Sequence, residues 1–174
     1  LVISDSKMAI TSVTGGFPAS QTYLEVKMLE TAMAVENGAD EIDMVINLSM
    51  VKDGCWVDVA NDIRAVREAT RGKILKVIIE CCLLTDEEKI HMCRIVADCG
   101  ADFIKTSTGF STGGATFDDI ALFARCVKGR CRIKAAGGIR SVADMERFIA
   151  LGADRLGTSS AIKIFNNEAS GTEY

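Results

Sequence analysis

A chain of 174 residues with 20 Lys and Arg, 24 Asp and Glu and one His has a net charge of −4. That leaves no electrostatic footprint for nucleic acid or an anionic membrane surface. Hydrophobic residues make up 48% and charged residues 25%, the balance of one globular domain, and no apolar run reaches the ~18 residues that a membrane-spanning helix requires.

The first strand is predicted near residues 8–13, followed by a loop, Gly15-Gly-Phe-Pro18, with the only proline. Thr22 and Glu25 then have capping-box spacing. Leu24, Met28, Ala32 and Val35 recur at helical spacing, as a buried stripe would. A strand near 41–46 follows, in which alternation places Asp43 on one face with Glu41 and Val45. The next strand, near 74–80, holds Lys76, and Thr85 with Glu88 again has capping-box spacing. A strand near 102–105 closes on Lys105, and Thr116 with Asp119 opens the helix after it. Lys134 lies in a strand near 131–135, Ser141 with Asp144 caps the next helix, and a last strand is predicted near 154–157. Gly-Ala-Asp recurs at 38–40, 100–102 and 152–154, each time between a helical pattern and a short apolar run. Glycine there suits the left-handed position that ends a helix.

Six alternating βα units with near-continuous apolar strands predict a parallel sheet covered by helices. No G-x-G-x-x-G follows the first strand, which disfavours a dinucleotide-binding fold. The expectation is an α/β chain of the (β/α)8 TIM-barrel class, one partial domain over 1–174, with about six of the eight units present. The chain opens Leu1-Val-Ile-Ser-Asp-Ser-Lys7, which is not a signal peptide. The other two units are expected to precede it.

Seven cysteines, with no C-x-x-C pair, lie mostly in apolar stretches and read as free thiols of a reducing, cytoplasmic compartment. With one histidine, a zinc site has few ligands to draw on.

Lys105 and Lys134 sit near C-terminal strand ends, where a barrel carries its active site. Two ammonium groups facing one pocket repel and are desolvated, so one pKa should fall. A neutral lysine is what attack on a carbonyl requires. The competing reading is that both snorkel to solvent. Asp43 fits either a proton carrier or a structural ion pair with an interior lysine such as Lys76. Gly137-Gly138 and Gly157-Thr-Ser-Ser160 are glycine-rich loops of the kind that bind phosphate after the last barrel strands. Arg140, Ser159 and Ser160 are placed to add contacts.

These segments resemble a known family. Ile104-Lys-Thr-Ser-Thr-Gly109 with Phe110-Ser-Thr-Gly-Gly-Ala-Thr116 is similar to the Schiff-base lysine motif of deoxyribose-phosphate aldolases. Lys134-Ala-Ala-Gly-Gly-Ile-Arg140 resembles their second-lysine segment, and Glu41-Ile-Asp-Met-Val-Ile-Asn47 the strand with their catalytic aspartate. Lys76-Val-Ile-Ile-Glu80 and Gly15-Gly-Phe-Pro18 also fit. The resemblance implies reversible cleavage of 2-deoxy-D-ribose 5-phosphate to acetaldehyde and glyceraldehyde 3-phosphate, with no metal or other cofactor. It makes Lys105 the imine-forming residue, Lys134 the group that keeps Lys105 nucleophilic, and both Lys134 and Asp43 proton carriers working with a water. Gly109, Gly137, Gly138, Ser159 and Ser160 match phosphate-contacting positions, and Tyr174 matches a tail tyrosine that assists proton transfer in some members. Phe110 stands where some members have lysine. The implied partners are a phosphorylated sugar and an aldehyde; neither nucleic acid nor membrane is expected, and a homo-oligomer is compatible. The alternatives are a transaldolase-like barrel, which need not share the adjacent-strand lysine pair, and a truncated chain that keeps the motifs without closure.

Overall fold

The computed structural model describes residues 8–166. Six parallel strands run in chain order: β1 (Thr11–Thr14), β2 (Glu41–Val45), β3 (Ile74–Ile78), β4 (Phe103–Lys105), β5 (Arg132–Ala136) and β6 (Arg155–Gly157). The helices are α1 (Leu24–Glu36), α2 (Leu48–Lys52), α3 (Trp56–Ala69), α4 (Asp86–Asp98), α5 (Phe117–Val127), α6 (Val142–Ala150) and α7 (Ala161–Phe165). The predicted order of strands therefore stands, with two helices rather than one between β2 and β3. The sheet is strongly curled: Arg155 on β6 reaches Glu41 on β2, with three strands between them in sheet order, at 2.5 Å. This is the open arc of a TIM-type barrel, with β1 and β6 as its edges.

The two-residue period of a strand sorts the side chains. Ile42 and Met44, Leu75 and Val77, Ile104, and Ile133 and Ala135 join one apolar cluster with Ile63 and Val66 of α3, Met92 and Val96 of α4, and Phe123 of α5. Each such side chain other than Ala135 contributes about 1.5–3 kcal/mol by leaving water. The alternate positions, Glu41, Asp43, Lys76, Lys105 and Lys134, share the opposite, concave face, as their mutual contacts require.

The Gly-Ala-Asp repeat has a double role. Gly38, Gly100 and Gly152 have φ of 99°, 71° and 112° and end helices. The aspartates that follow accept the backbone N–H of Ile10, Leu75 and Ile133, at 3.0, 2.8 and 2.8 Å. Each carboxylate thus fixes the start of the strand beside its own, giving β1–β2, β3–β4 and β5–β6 the same lock.

Helix starts agree in three of four cases. Thr85 and Glu88 form a complete capping box, and Thr116 and Ser141 accept from Asp119 and Asp144 N–H groups. Thr22 caps nothing: α1 begins after Tyr23, with no side-chain cap. The expected stripe on α1 is also corrected. Leu24, Met28, Ala32 and Val35 are only half-buried, and the buried positions are Lys27 and Thr31. Lys27 pairs with buried Asp62 of α3, and Thr31 shares a hydrogen bond with Thr14. A helix facing another helix through an ion pair does not need a fully apolar stripe.

All seven cysteines are free thiols, and Cys81, Cys93, Cys99 and Cys131 are buried. Burial pushes each of these four thiols up from its ordinary value. No helix among the described residues is long and apolar enough to cross a membrane.

Candidate active site

β4 and β5 pair with Lys105 opposite Lys134, so both lysines stand side by side at the C-terminal end of the sheet. Lys105 Nζ donates to Asp43 Oδ2 at 2.7 Å and Lys134 Nζ to the same oxygen at 3.3 Å. The other oxygen, Oδ1, accepts from Lys76 Nζ at 2.6 Å. Lys76 is wholly buried and also meets Glu41 at 2.7 Å, and Glu41 in turn holds Arg155. The expected ion pair of Asp43 with Lys76 is therefore present, and Asp43 also touches both strand-end lysines. Neither lysine snorkels, since Lys105 and Lys134 side chains are 9% and 13% exposed.

One carboxylate facing three ammonium groups sets the electrostatics. Burial by itself pushes Asp43 up, but the charges of Lys105, Lys134 and Lys76 outweigh it and hold the carboxyl below its ordinary value. Burial likewise opposes ionisation of Glu41, which hydrogen bonds from Arg155 and Lys76 bring down to about 2. Lys134 moves the other way. Desolvation lowers it most, Asp43 opposes the change, and the like charges of Lys105 and Lys76 add to it, leaving the ammonium at about 8.

Beside the lysines lies a cavity of about 180 Å3. Lys105, Lys134, Gly109, Gly137, Gly138, Arg140, Gly157, Ser159 and Ser160 all line it, so every proposed phosphate position meets the lysine pair in one space. Gly157 is closely approached: a Cβ there would fall 3.3 Å from Lys134 Cε and 3.1 Å from Ala136 Cβ, so the lysine tip would have to give way by a few tenths of an ångström. Gly137 donates its N–H to the Gly157 carbonyl at 3.3 Å and Ser160 donates to Thr158 Oγ1 at 3.0 Å. Those two amides are spent on the loops themselves. Tyr174 lies outside the described residues.

Sequence reading missed Thr108, which lines the same cavity, and Glu80, which holds Thr108 through both oxygens. The hydroxyl of buried Ser107, between Lys105 and Gly109, is the one buried side-chain polar atom without a hydrogen-bond partner among the described residues. No group of three or more His, Cys, Asp or Glu suited to a metal ion occurs among those residues.

A family model described as DeoC/LacD family aldolase matches residues 5–167. The chain belongs to this aldolase family. It is 54% identical over 154 residues to a deoxyribose-phosphate aldolase of Streptococcus uberis, a match covering 88% of the chain and 70% of that relative. Against a deoxyribose-phosphate aldolase of Streptococcus pyogenes the identity is also 54%, over 167 residues, covering 96% and 74%. A deoxyribose phosphate aldolase from Aeropyrum pernix, described as tetrameric, superposes with a TM-score of 0.83 at 34% identity, over 92% of this chain and 68% of that one. The adjacent-strand lysine pair that a transaldolase-like barrel need not possess is present in this family member, in register.

Proposed function

We propose that the protein reversibly cleaves 2-deoxy-D-ribose 5-phosphate to acetaldehyde and D-glyceraldehyde 3-phosphate through an imine on Lys105. The observation that carries this reading is the pair of lysine amines, one buried and one largely so, converging on one Asp43 oxygen at the wall of a glycine-lined cavity. Lys105 Nζ adds to the C1 carbonyl of the open sugar, and loss of water gives the iminium. A base takes the C3 hydroxyl proton, the C2–C3 bond breaks, and its electron pair passes into the iminium to leave an enamine on Lys105. Glyceraldehyde 3-phosphate departs, C2 takes a proton, and water releases acetaldehyde. Lys134, at about 8, is neutral in roughly a tenth of molecules at pH 7 and so both accepts and returns protons near neutrality. Asp43 orients the two amines. Gly109, Gly138, Arg140, Ser159 and Ser160 then face the phosphate.

The test is reductive trapping. Borohydride with acetaldehyde should add a two-carbon unit to Lys105 and stop turnover; a label confined to exposed lysines would refute the assignment.

The same reading makes residues 1–174 one partial barrel domain that two upstream βα units close. Its support is the open β1 edge, the exposed apolar side chains of Ile10, Val13, Val26, Leu29 and Met33, and relatives of which the chain covers 70–74%. Edges and apolar faces of this kind associate. Residues 1–174 expressed alone should form aggregates. Fusion to roughly 50–70 residues of βαβα from a relative should yield a cooperative, monodisperse species. A sharply melting monomer of 1–174 would overturn this architecture.

A further inference from the structure

We propose that Glu80 is a positioning residue that fixes the loop after β4 and thereby the preference for a phosphorylated substrate, an inference that rests on the aldolase reading above. Glu80 stands two residues beyond β3 with φ 51° and ψ 66°, a left-handed conformation that is costly for a side chain with a Cβ. It is nevertheless 3% exposed. Burying a carboxyl group is unfavourable unless it is hydrogen-bonded, and here one residue supplies most of the bonding. The Thr108 N–H lies 3.3 Å from each oxygen, and the Thr108 hydroxyl donates to Oε2 at 2.5 Å. Cys82 Sγ, at 3.9 Å from Oε1, adds a weak contact.

Thr108 passes the constraint on. Its Oγ1 accepts the N–H of Phe110 at 3.0 Å, so the residues on both sides of Gly109 are tied to one carboxyl group. Gly109 has φ 89° and lines the cavity together with Gly138 and Arg140. A glycine left untethered populates many conformations, and an anion-binding wall acts well only when its donors are already in place. Strain at Glu80 with a buried carboxyl group is thus offset by a preset wall opposite the second loop.

Glu80→Gln keeps the shape but turns one acceptor into an NH2 group facing the Thr108 donors. The expected result is a KM for 2-deoxyribose 5-phosphate raised about tenfold or more, with kcat and the kcat/KM for unphosphorylated 2-deoxyribose within about twofold. Calorimetry with inorganic phosphate should show a matching loss of affinity. Thr108→Val should lose phosphate affinity in the same way, and the two changes together should cost less than their sum. Equal losses with both sugars, or unchanged phosphate affinity in both variants, would overturn the role of Glu80 alone. If Glu80→Gln does not fold, Thr108→Val decides by itself: retained phosphate selectivity refutes the proposal. All of these measurements use the barrel closed by the two upstream βα units, and a wild-type closed barrel that neither turns over the sugar phosphate nor binds phosphate overturns the aldolase reading together with it.

Discussion

Asp43→Asn should lower stability by about 3–5 kcal/mol, the cost of breaking a buried ion pair from one side, and reduce kcat/KM by more than about 100-fold. The side chain keeps its shape, but Lys105 and Lys134 lose the one ion-pair partner they have among the described residues, and Lys76 is left with Glu41. The new amide also turns an NH2 group toward an ammonium. Denaturant midpoints and steady-state rates on the same preparation of the closed, fused barrel measure both effects. The loss should be partly recovered in Asp43→Asn/Lys134→Met, because one stranded cation leaves with the second change. An unmoved midpoint would mean that the three lysines do not depend on this carboxylate, and the electrostatic account of the site would fail.

Lys134→Met isolates the group that titrates near neutrality. In the folded protein Lys134 sits at about 8 against an ordinary 10.5. Below pH 8 it is charged in both folded and unfolded chains, and the native state carries the full penalty of burying that charge. Between about 8 and 10.5 the unfolded chain binds the extra proton, so stability rises with pH by about 3 kcal/mol over that window. Lys134→Met should abolish the rise and be no less stable than wild type at pH 7. Turnover should fall by a factor on the order of 10²–10⁴, as for loss of a general acid–base group, and the inflection near pH 8 should vanish. A variant that melts earlier at pH 7 with an unchanged rate profile would make Lys134 a structural partner of Asp43 only.

The candidate site residues were legible because they break the pattern of their strands. A lysine closing Asp102-Phe-Ile-Lys105, or an aspartate within Glu41-Ile-Asp-Met-Val45, conflicts with burial unless a partner waits, and the structure supplies the partner. Thr85 was legible for a local reason, since its capping box closes within one helical turn. Contacts set by curvature were not. Arg155 meets Glu41 across 114 positions of sequence, and only a sheet rolled tightly enough brings β6 over β2. Lys27 gave no signal, because its partner Asp62 is fixed by how α1 and α3 pack. Glu80 was hidden by its backbone: read as the end of a strand, it turns into the left-handed region instead.

The aspartate locks divide the sheet into three two-strand modules, and the ionised residues fall on the seams between them. Asp43 and Lys76 face each other across β2 and β3, and Lys105 and Lys134 across β4 and β5. At the second seam Thr106 Oγ1 also exchanges hydrogen bonds with the Ala136 carbonyl and N–H, each at 3.1 Å. The modules are therefore stapled to one another in part by the groups proposed above to do the chemistry. Tuning the charges of this site also adjusts the joints of the barrel, so selection for reactivity and selection for assembly act on one set of atoms.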